Sequence, residues 1–334
     1  MKQVLIQKGI AKICDLPPPK LNKGEILVAV QASTISIGTE VADIKNSAES
    51  LYQKAIKQPS KIIQTISYTS KFGIKKTYDY IRSRDKEFAP TGYSCAGVVI
   101  GISDDIKDIS IGQKVACAGA KYAFHAEIIK VPRNLCVLIS DDISFQNAST
   151  VSLGAIALQG IRRSNPTIGE CFVVVGLGLI GQLTVQILKA NGCRVIGIDK
   201  DLKRVDTALN VGLDYGFNKV NDVIKKVNEL TTDFGADGVI ITASSRTNDI
   251  ISNAFNFCRK KGRVVLVGDV GLNLKREDFY KNEIDFLIST SYGPGRYDEE
   301  YEESGIDYPI GYVRWTENRN MQEYLRLIEE KKIN

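Results

Sequence analysis

Histidine and tryptophan each occur once in the 334 residues, at His125 and Trp315, and methionine only twice. The seven cysteines, Cys14, Cys95, Cys117, Cys136, Cys171, Cys193 and Cys258, are odd in number, and no two form a Cys-x-x-Cys pair. That removes a Cys-x-x-Cys redox or metal element and leaves the thiols as small buried hydrophobes of a reducing compartment. No apolar run reaches the roughly 18 residues of a membrane span. The first segment, MKQVLIQKGIAKICD, has no signal-peptide h-region. A cytoplasmic protein with no membrane partner is the default expectation. The formal net charge of +5 is modest, and no recognition motif accompanies the basic residues, so nucleic acid is not an expected partner. What remains is an ordinary soluble composition, 43% hydrophobic and 25% charged, in a chain long enough for two domains.

The strongest positive signal is FVVVGLGLIGQLTVQILKANGCRVIGID, residues 172–199. An apolar strand runs straight into Gly176-Leu177-Gly178-Leu179-Ile180-Gly181, followed by an apolar helix, a second strand and Asp199. A Gly-x-Gly-x-x-Gly between strand and helix, with an acid about 20 residues on, marks a dinucleotide site. Gly176 allows the tight turn, Gly178 lets a pyrophosphate approach the backbone, and Gly181 lets the helix pack against the sheet. The N–H groups of Leu179 and Ile180 open the helix, whose positive dipole end faces the phosphates. Asp199 accepts hydrogen bonds from ribose hydroxyls and repels a 2′-phosphate, which favours NAD(H) over NADP(H). Lys200 and Arg204 lie close enough to weaken that preference.

Residues 1–35 and 92–139 read as short strands with glycine and proline turns, a compact β-rich unit of barrel-like character. Between them, about 42–88, the pattern is helical and basic residues outnumber acidic ones; it reads as a solvated helical insertion or a surface for an anionic substrate such as a nucleotide sugar. From about residue 147 helix and strand alternate, with a helix over 148–163 and strands at 172–175, 194–198, 238–242, 263–267 and 285–290. That rhythm predicts a doubly wound parallel sheet. Turns at its strand ends, Thr242-Ala243-Ser244 and Val267-Gly268-Asp269, are expected to line the cofactor. A Tyr- and Gly-rich loop over 291–315 is too long for an ordinary connection, and a last amphipathic helix is expected over 317–331.

Order and motifs together resemble the medium-chain dehydrogenase/reductase superfamily. The residues that carry the resemblance are GEILVAVQAS (24–33), GTE (38–40), GYSCAGVV (92–99), GQKVACAGA (112–120) and GLGLIG itself. It implies an α/β protein with a GroES-like catalytic domain over 1–147 and a Rossmann NAD-binding domain over 148–334. SYGPGRYD (291–298) and IGYVRW (310–315) resemble the N-terminal module of two-part oxidoreductases of bacterial surface-polysaccharide synthesis, in which a Gfo/Idh/MocA-type domain follows. The superfamily also implies a homodimer joined through the last strand of the Rossmann sheet. In it the segment after the final Rossmann helix returns to complete the catalytic domain. This sequence ends at Lys332-Ile333-Asn334, where that return would begin, so an incomplete active-site wall is expected.

The departures from the family pattern concern zinc. Zinc-dependent members carry ligands where this chain has Ile37, Tyr93, Ser94 and, near the helix before the glycine motif, Ser152. The Cys-rich structural lobe is absent too. Zinc binds thiolate, imidazole or carboxylate, so no metal is expected. The resemblance then directs attention to Tyr93, Thr39 and Glu40 as the groups at the nicotinamide end. Tyr93 reads either as a proton donor or as a packing tyrosine, and Glu40 as catalytic or as a structural hydrogen-bonded residue. His125, in the strand-like YAFHAEIIK, reads as structural before catalytic. Arg296 reads equally as a phosphate or carboxylate clamp and as a loop anchor. The expectation is a zinc-independent NAD(H)-dependent oxidoreductase of a carbonyl or secondary alcohol on a small, anionic sugar or nucleotide sugar. The alternative is a catalytically degenerate NAD-binding sensor or scaffold.

Overall fold

The computed structural model describes residues 1–48, 88–245 and 247–334. The helical segment expected over about 42–88 lies, beyond residue 48, outside the described residues. The first strands follow from alternation and turn chemistry. β1 (Lys2–Gln7) and β2 (Ile10–Asp15) pair antiparallel across a two-residue turn in which Lys8 and Gly9 both have positive φ, 48° and 79°. Such a turn matches the twist of a tight hairpin. β3 (Glu25–Ser33) starts a second sheet, while the short β4 (Ala89–Pro90) joins β1. β5 (Ser94–Ile102), β6 (Lys114–Ala118), β7 (Ile128–Pro132) and β8 (Cys136–Leu138) complete an antiparallel sheet in the order β7-β3-β5-β6-β8.

The two faces of this sheet are chemically different because side chains alternate along each strand. Ile26, Val28, Cys95, Val115, Cys117, Ile129 and Cys136 point into one core. Ala96, Ala116 and Ala118 point the other way, into a core shared with the second half of the chain. Cys95, Cys117 and Cys136 are fully buried and act as small apolar side chains. α1 (Ile37–Ala48) begins five residues before the helical pattern was expected to start.

α2 (Phe145–Ala148) and α3 (Val151–Ser164) lead to the parallel sheet. There β9 (Cys171–Val175), α4 (Leu179–Ala190), β10 (Arg194–Ile198), α5 (Leu202–Asn210), β11 (Tyr215–Phe217), α6 (Val220–Thr231) and β12 (Ala236–Ile241) alternate. After the two-residue β13 (Ser244–Ser245) come α7 (Asp249–Phe257), β14 (Cys258–Leu266), β15 (Asp269–Val270), α8 (Arg276–Phe279) and β16 (Asp285–Ile288). All six main strands are parallel, in the order β11-β10-β9-β12-β14-β16. That is the doubly wound order, with its switch point between β9 and β12. α3 and α4 bury Leu158, Ile161, Leu183 and Leu188 on one face, and α6 and α7 bury Val223, Val227, Ile251 and Phe255 on the other. The strand β11 escaped the sequence reading because Tyr-Gly-Phe is too short for a periodic signal.

α3 runs antiparallel to these strands and extends past their carboxyl edge. Its last residue, Ser164, accepts a hydrogen bond from Arg263 in mid-β14, while Gly160 already faces Val267, beyond the end of β14. The preceding two turns therefore project over the crevice toward β5. α9 (Glu299–Glu302) and α10 (Glu317–Glu329) close the chain, and α10 packs on α3. The closest point is Gly154, where an added Cβ would overlap the Tyr324 ring. Tyr324 is pinned there by a 2.7 Å bond between its hydroxyl and Thr150. Gly154→Val is expected to lose about 1–3 kcal/mol of stability, read as a lowered midpoint in urea or thermal unfolding.

Candidate active site

The glycine motif folds as its spacing dictates. Gly176 has φ +94°, and a Cβ there would stand 2.6 Å from the backbone nitrogen of Ala243. Glycine is required to bring the ends of β9 and β12 this close. At Gly181 a Cβ would overlap the carbonyl oxygen of Gly176, which fixes how tightly α4 docks. Gly178 differs from both: among the described residues, no atom lies within 4 Å of where its Cβ would be. It is the N-cap of α4, with no side-chain cap among the described residues. Leu179 is exposed and Ile180 half-buried. An uncapped helix start above open space is a place for an anion.

Asp199 ends β10 beside this turn, with its side chain only 10% exposed. Its Oδ2 accepts the Leu177 N–H at 2.7 Å and its Oδ1 the Asp201 N–H at 2.9 Å. Arg204 reaches it at 3.6 Å and also Asp201 at 3.8 Å. Each carboxylate oxygen carries two acceptor sites, so capacity for ribose hydroxyls remains. Lys200 is exposed. Gln182, which the sequence reading passed over, donates from Nε2 to the carbonyls of Leu177 (3.0 Å) and Arg204 (2.8 Å). It ties the glycine turn to α5 and would have been legible only from its place in the first turn of α4.

The two strand-end turns form the other wall. Thr242 donates from Oγ1 to the Gly176 carbonyl at 2.5 Å and from its N–H to Val175 at 2.9 Å, and the Ala243 N–H also bonds Val175, at 3.0 Å. Val267 and Gly268 both donate to the Ile241 carbonyl, at 2.9 and 2.8 Å. Ser244 pairs with Asp269 in the short β13–β15 ladder, and both side chains are exposed. The residues read from the sequence thus meet at one crevice, outside the carboxyl ends of β9 and β12.

The groups expected at the nicotinamide end are spread apart. Tyr93 is only 9% exposed and packs in the core shared with Ala96, Ala118 and Tyr292. Its carbonyl accepts from the Ser152 hydroxyl at 2.8 Å. Ser94 donates to the Ser149 carbonyl at 2.6 Å and receives the Ser152 N–H at 3.1 Å. Ile37 is 73% exposed. The hydroxyls at two positions where zinc-dependent relatives hold ligands are therefore bonded to backbone. Among the described residues, no group of three or more His, Cys, Asp or Glu side chains is placed to hold a metal ion. Thr39 lies on the exposed face of α1.

Glu40 is buried and bonded through both carboxylate oxygens. Oε1 accepts the Ser36 N–H at 2.8 Å, and Oε2 accepts the Thr91 hydroxyl at 3.2 Å and meets His125 Nε2 at 2.8 Å. The other ring nitrogen, Nδ1, lies 2.8 Å from Ser33 Oγ. His125 is not in a strand, as its segment suggested, but in the turn before β7, held by its N–H to the Thr91 carbonyl.

The Tyr- and Gly-rich loop is ordered by a buried charge cluster. Arg296 bonds Glu302 at 2.6 Å and lies over the Tyr297 ring at 4.0 Å, so it anchors the loop. Glu317 is completely buried, and neither carboxylate oxygen has a partner among the described residues. Burial, reinforced by the charge of Glu302 and partly offset by Arg296, pushes its carboxyl up to about 9.

Two predictions follow from this geometry. Gly178→Val is expected to shift the melting temperature by less than about 2 °C yet weaken NAD+ binding more than about tenfold, read by calorimetry. Glu317 is neutral in the folded chain and ionised in the unfolded chain between about 4.5 and about 9. Its contribution to stability is thus complete below this window and lost as pH rises through it, with a slope of at most about 1.4 kcal/mol per pH unit. Glu317→Gln should flatten that slope in urea unfolding measured across the window.

Comparison with known proteins agrees with this architecture. Residues 180–305 match the family model described as zinc-binding dehydrogenase, a stretch that excludes Ile37, Tyr93, Ser94 and Ser152. D-guloside 3-dehydrogenase of Escherichia coli K12 is 30% identical over 237 residues, covering 68% of this chain and 62% of the relative. The match thus spans less than two thirds of that relative's length. Sorbitol dehydrogenase of Bacillus subtilis is 22% identical over 65% of this chain and 68% of the relative. Galactitol-1-phosphate dehydrogenase from Escherichia coli superposes with a TM-score of 0.75 at 16% identity, over 100% of this chain and 90% of that one. With its Rossmann-type strand order, its glycine turn and these relatives, the chain belongs to the medium-chain dehydrogenase/reductase superfamily.

Proposed function

We propose that the protein is an NAD(H)-dependent oxidoreductase that works without zinc on a secondary alcohol or carbonyl of a sugar or sugar alcohol. The observation that carries this is the space over Gly178 at an uncapped helix start, with the Asp199 carboxylate at the end of the next strand. Gly178, Leu179, Ile180 and Gly181 would hold the pyrophosphate and Asp199 the ribose, with Thr242 to Ser244 and Val267 to Asp269 along the nicotinamide half. Bound there, the nicotinamide supplies the hydride acceptor or donor. The protein's share is position, exclusion of water and control of the alcohol proton. A sugar substrate draws on the names of the relatives, and a role in surface-polysaccharide synthesis on the loop resemblance alone. Absence of zinc rests on side-chain chemistry: an exposed isoleucine, a buried tyrosine and backbone-bonded serines are poor ligands. The open edge at β16 is where a second copy would pair.

The burial of Tyr93 and the committed hydroxyls of Ser94 and Ser152 favour one second reading, a cofactor-binding module that has lost turnover. Purified protein incubated with NAD+ and a D-guloside, sorbitol or galactitol 1-phosphate separates the two. Substrate-dependent growth of reduced cofactor at 340 nm supports the enzyme, and binding without turnover supports the module. Asp199→Ala is expected to weaken NAD+ by about tenfold to a hundredfold, the worth of a charged hydrogen bond, and to narrow its advantage over NADP+. Equal affinities in wild type and variant would remove Asp199 from the site.

A further inference from the structure

We propose that Ser33, His125 and Glu40 form the acid–base unit of the site. The inference rests on the oxidoreductase reading above. Three side chains from β3, the turn before β7 and α1 make one hydrogen-bonded line, Ser33 Oγ to His125 Nδ1 at 2.8 Å and His125 Nε2 to Glu40 Oε2 at 2.8 Å. Exposure is graded along it. The Glu40 and His125 side chains are 8% and 9% exposed, whereas Ser33 is open. A buried acid, an oriented imidazole and an accessible hydroxyl are the parts of an activated hydroxyl relay.

The partners of Glu40 fix the protons. Its carboxylate already receives the Ser36 N–H and the Thr91 hydroxyl, so it serves as an acceptor. His125 therefore donates from Nε2–H to Glu40, which in the neutral ring leaves the Nδ1 lone pair to accept from Ser33. No other charged side chain among the described residues has a bond to this imidazole. The exposed end of the line adjoins the seam with α3. Thr34, next to Ser33, donates its N–H to Ser94 at 3.0 Å and shares a 2.7 Å bond between its hydroxyl and Ser149. Ser94 and Ser149 hold the first turn of α3, which overhangs the carboxyl edge of the parallel sheet.

Oxidation of a secondary alcohol gives up a hydride from carbon, which leaves for the nicotinamide, and a proton from oxygen. In this unit the alcohol proton moves to Ser33 Oγ as the Ser33 proton moves to His125 Nδ1. The imidazolium that results is stabilised by the Glu40 carboxylate. Carbonyl reduction runs the same transfers backwards. Ser33 touches substrate, His125 is the base, and Glu40 is a positioning residue.

The single histidine makes the test direct. In protein labelled with 15N-histidine and saturated with NAD+, nitrogen shifts should report the Nε2–H tautomer, and Glu40→Gln should convert it to a tautomer mixture. A tautomer that ignores Glu40→Gln overturns the proposal whether or not any substrate is turned over. With a D-guloside as probe, His125→Gln and Ser33→Ala should each cut kcat by about a hundredfold or more with KM within about twofold. Added imidazole should restore part of the His125→Gln loss. Wild-type kcat in both variants overturns the unit but leaves the oxidoreductase reading standing, while a wild-type protein that binds NAD+ and oxidises none of the probes overturns both.

Discussion

The structure depends on α3, a helix that belongs to both halves of the chain. Its second half packs over β12 and β14, and Ser152 in its first turn is bonded to the Tyr93 carbonyl and the Ser94 hydroxyl at the edge of the antiparallel sheet. Gly154 and Gly160 let it lie flush against Tyr324 and Val267. Because α3 overhangs the strand ends, the β-rich half is held where a ligand on the glycine turn would meet it. A shift of this helix would change the spacing between the glycine turn and the β-rich half.

The geometry of the proposed cofactor half was legible in the sequence because it is local. Turn, close approach and helix start all lie within Gly176–Gly181, and Asp199 follows at the end of the next strand, so spacing alone encodes the contact. The Ser33–His125–Glu40 line proposed to handle the proton was not legible. His125 lies 92 residues from Ser33 and 85 from Glu40. Periodicity cannot bring such residues together, and the β-like pattern around His125 concealed a turn held by Thr91. The resemblance pointed to Glu40 but not to the partner that defines its role.

The family pattern also explains what the chain does not keep. Where zinc-dependent relatives place ligands, Ser94 and Ser152 bond backbone and strengthen the seam between the halves. Both serine hydroxyls make structural hydrogen bonds, with Tyr93 packed in the core beside them. The loop over 291–315 shows the same economy. Tyr292 packs in the core with α3 and α10 and Arg296 bonds Glu302 of α9, beside a buried neutral Glu317.

The central claim is that the glycine turn and Asp199 select a dinucleotide without a 2′-phosphate. Calorimetric titration of the wild-type chain with NAD+ and NADP+ tests it most directly. The account predicts one site per chain and NAD+ binding tighter by about tenfold or more. Tighter binding of NADP+, or no heat with either dinucleotide, would contradict it.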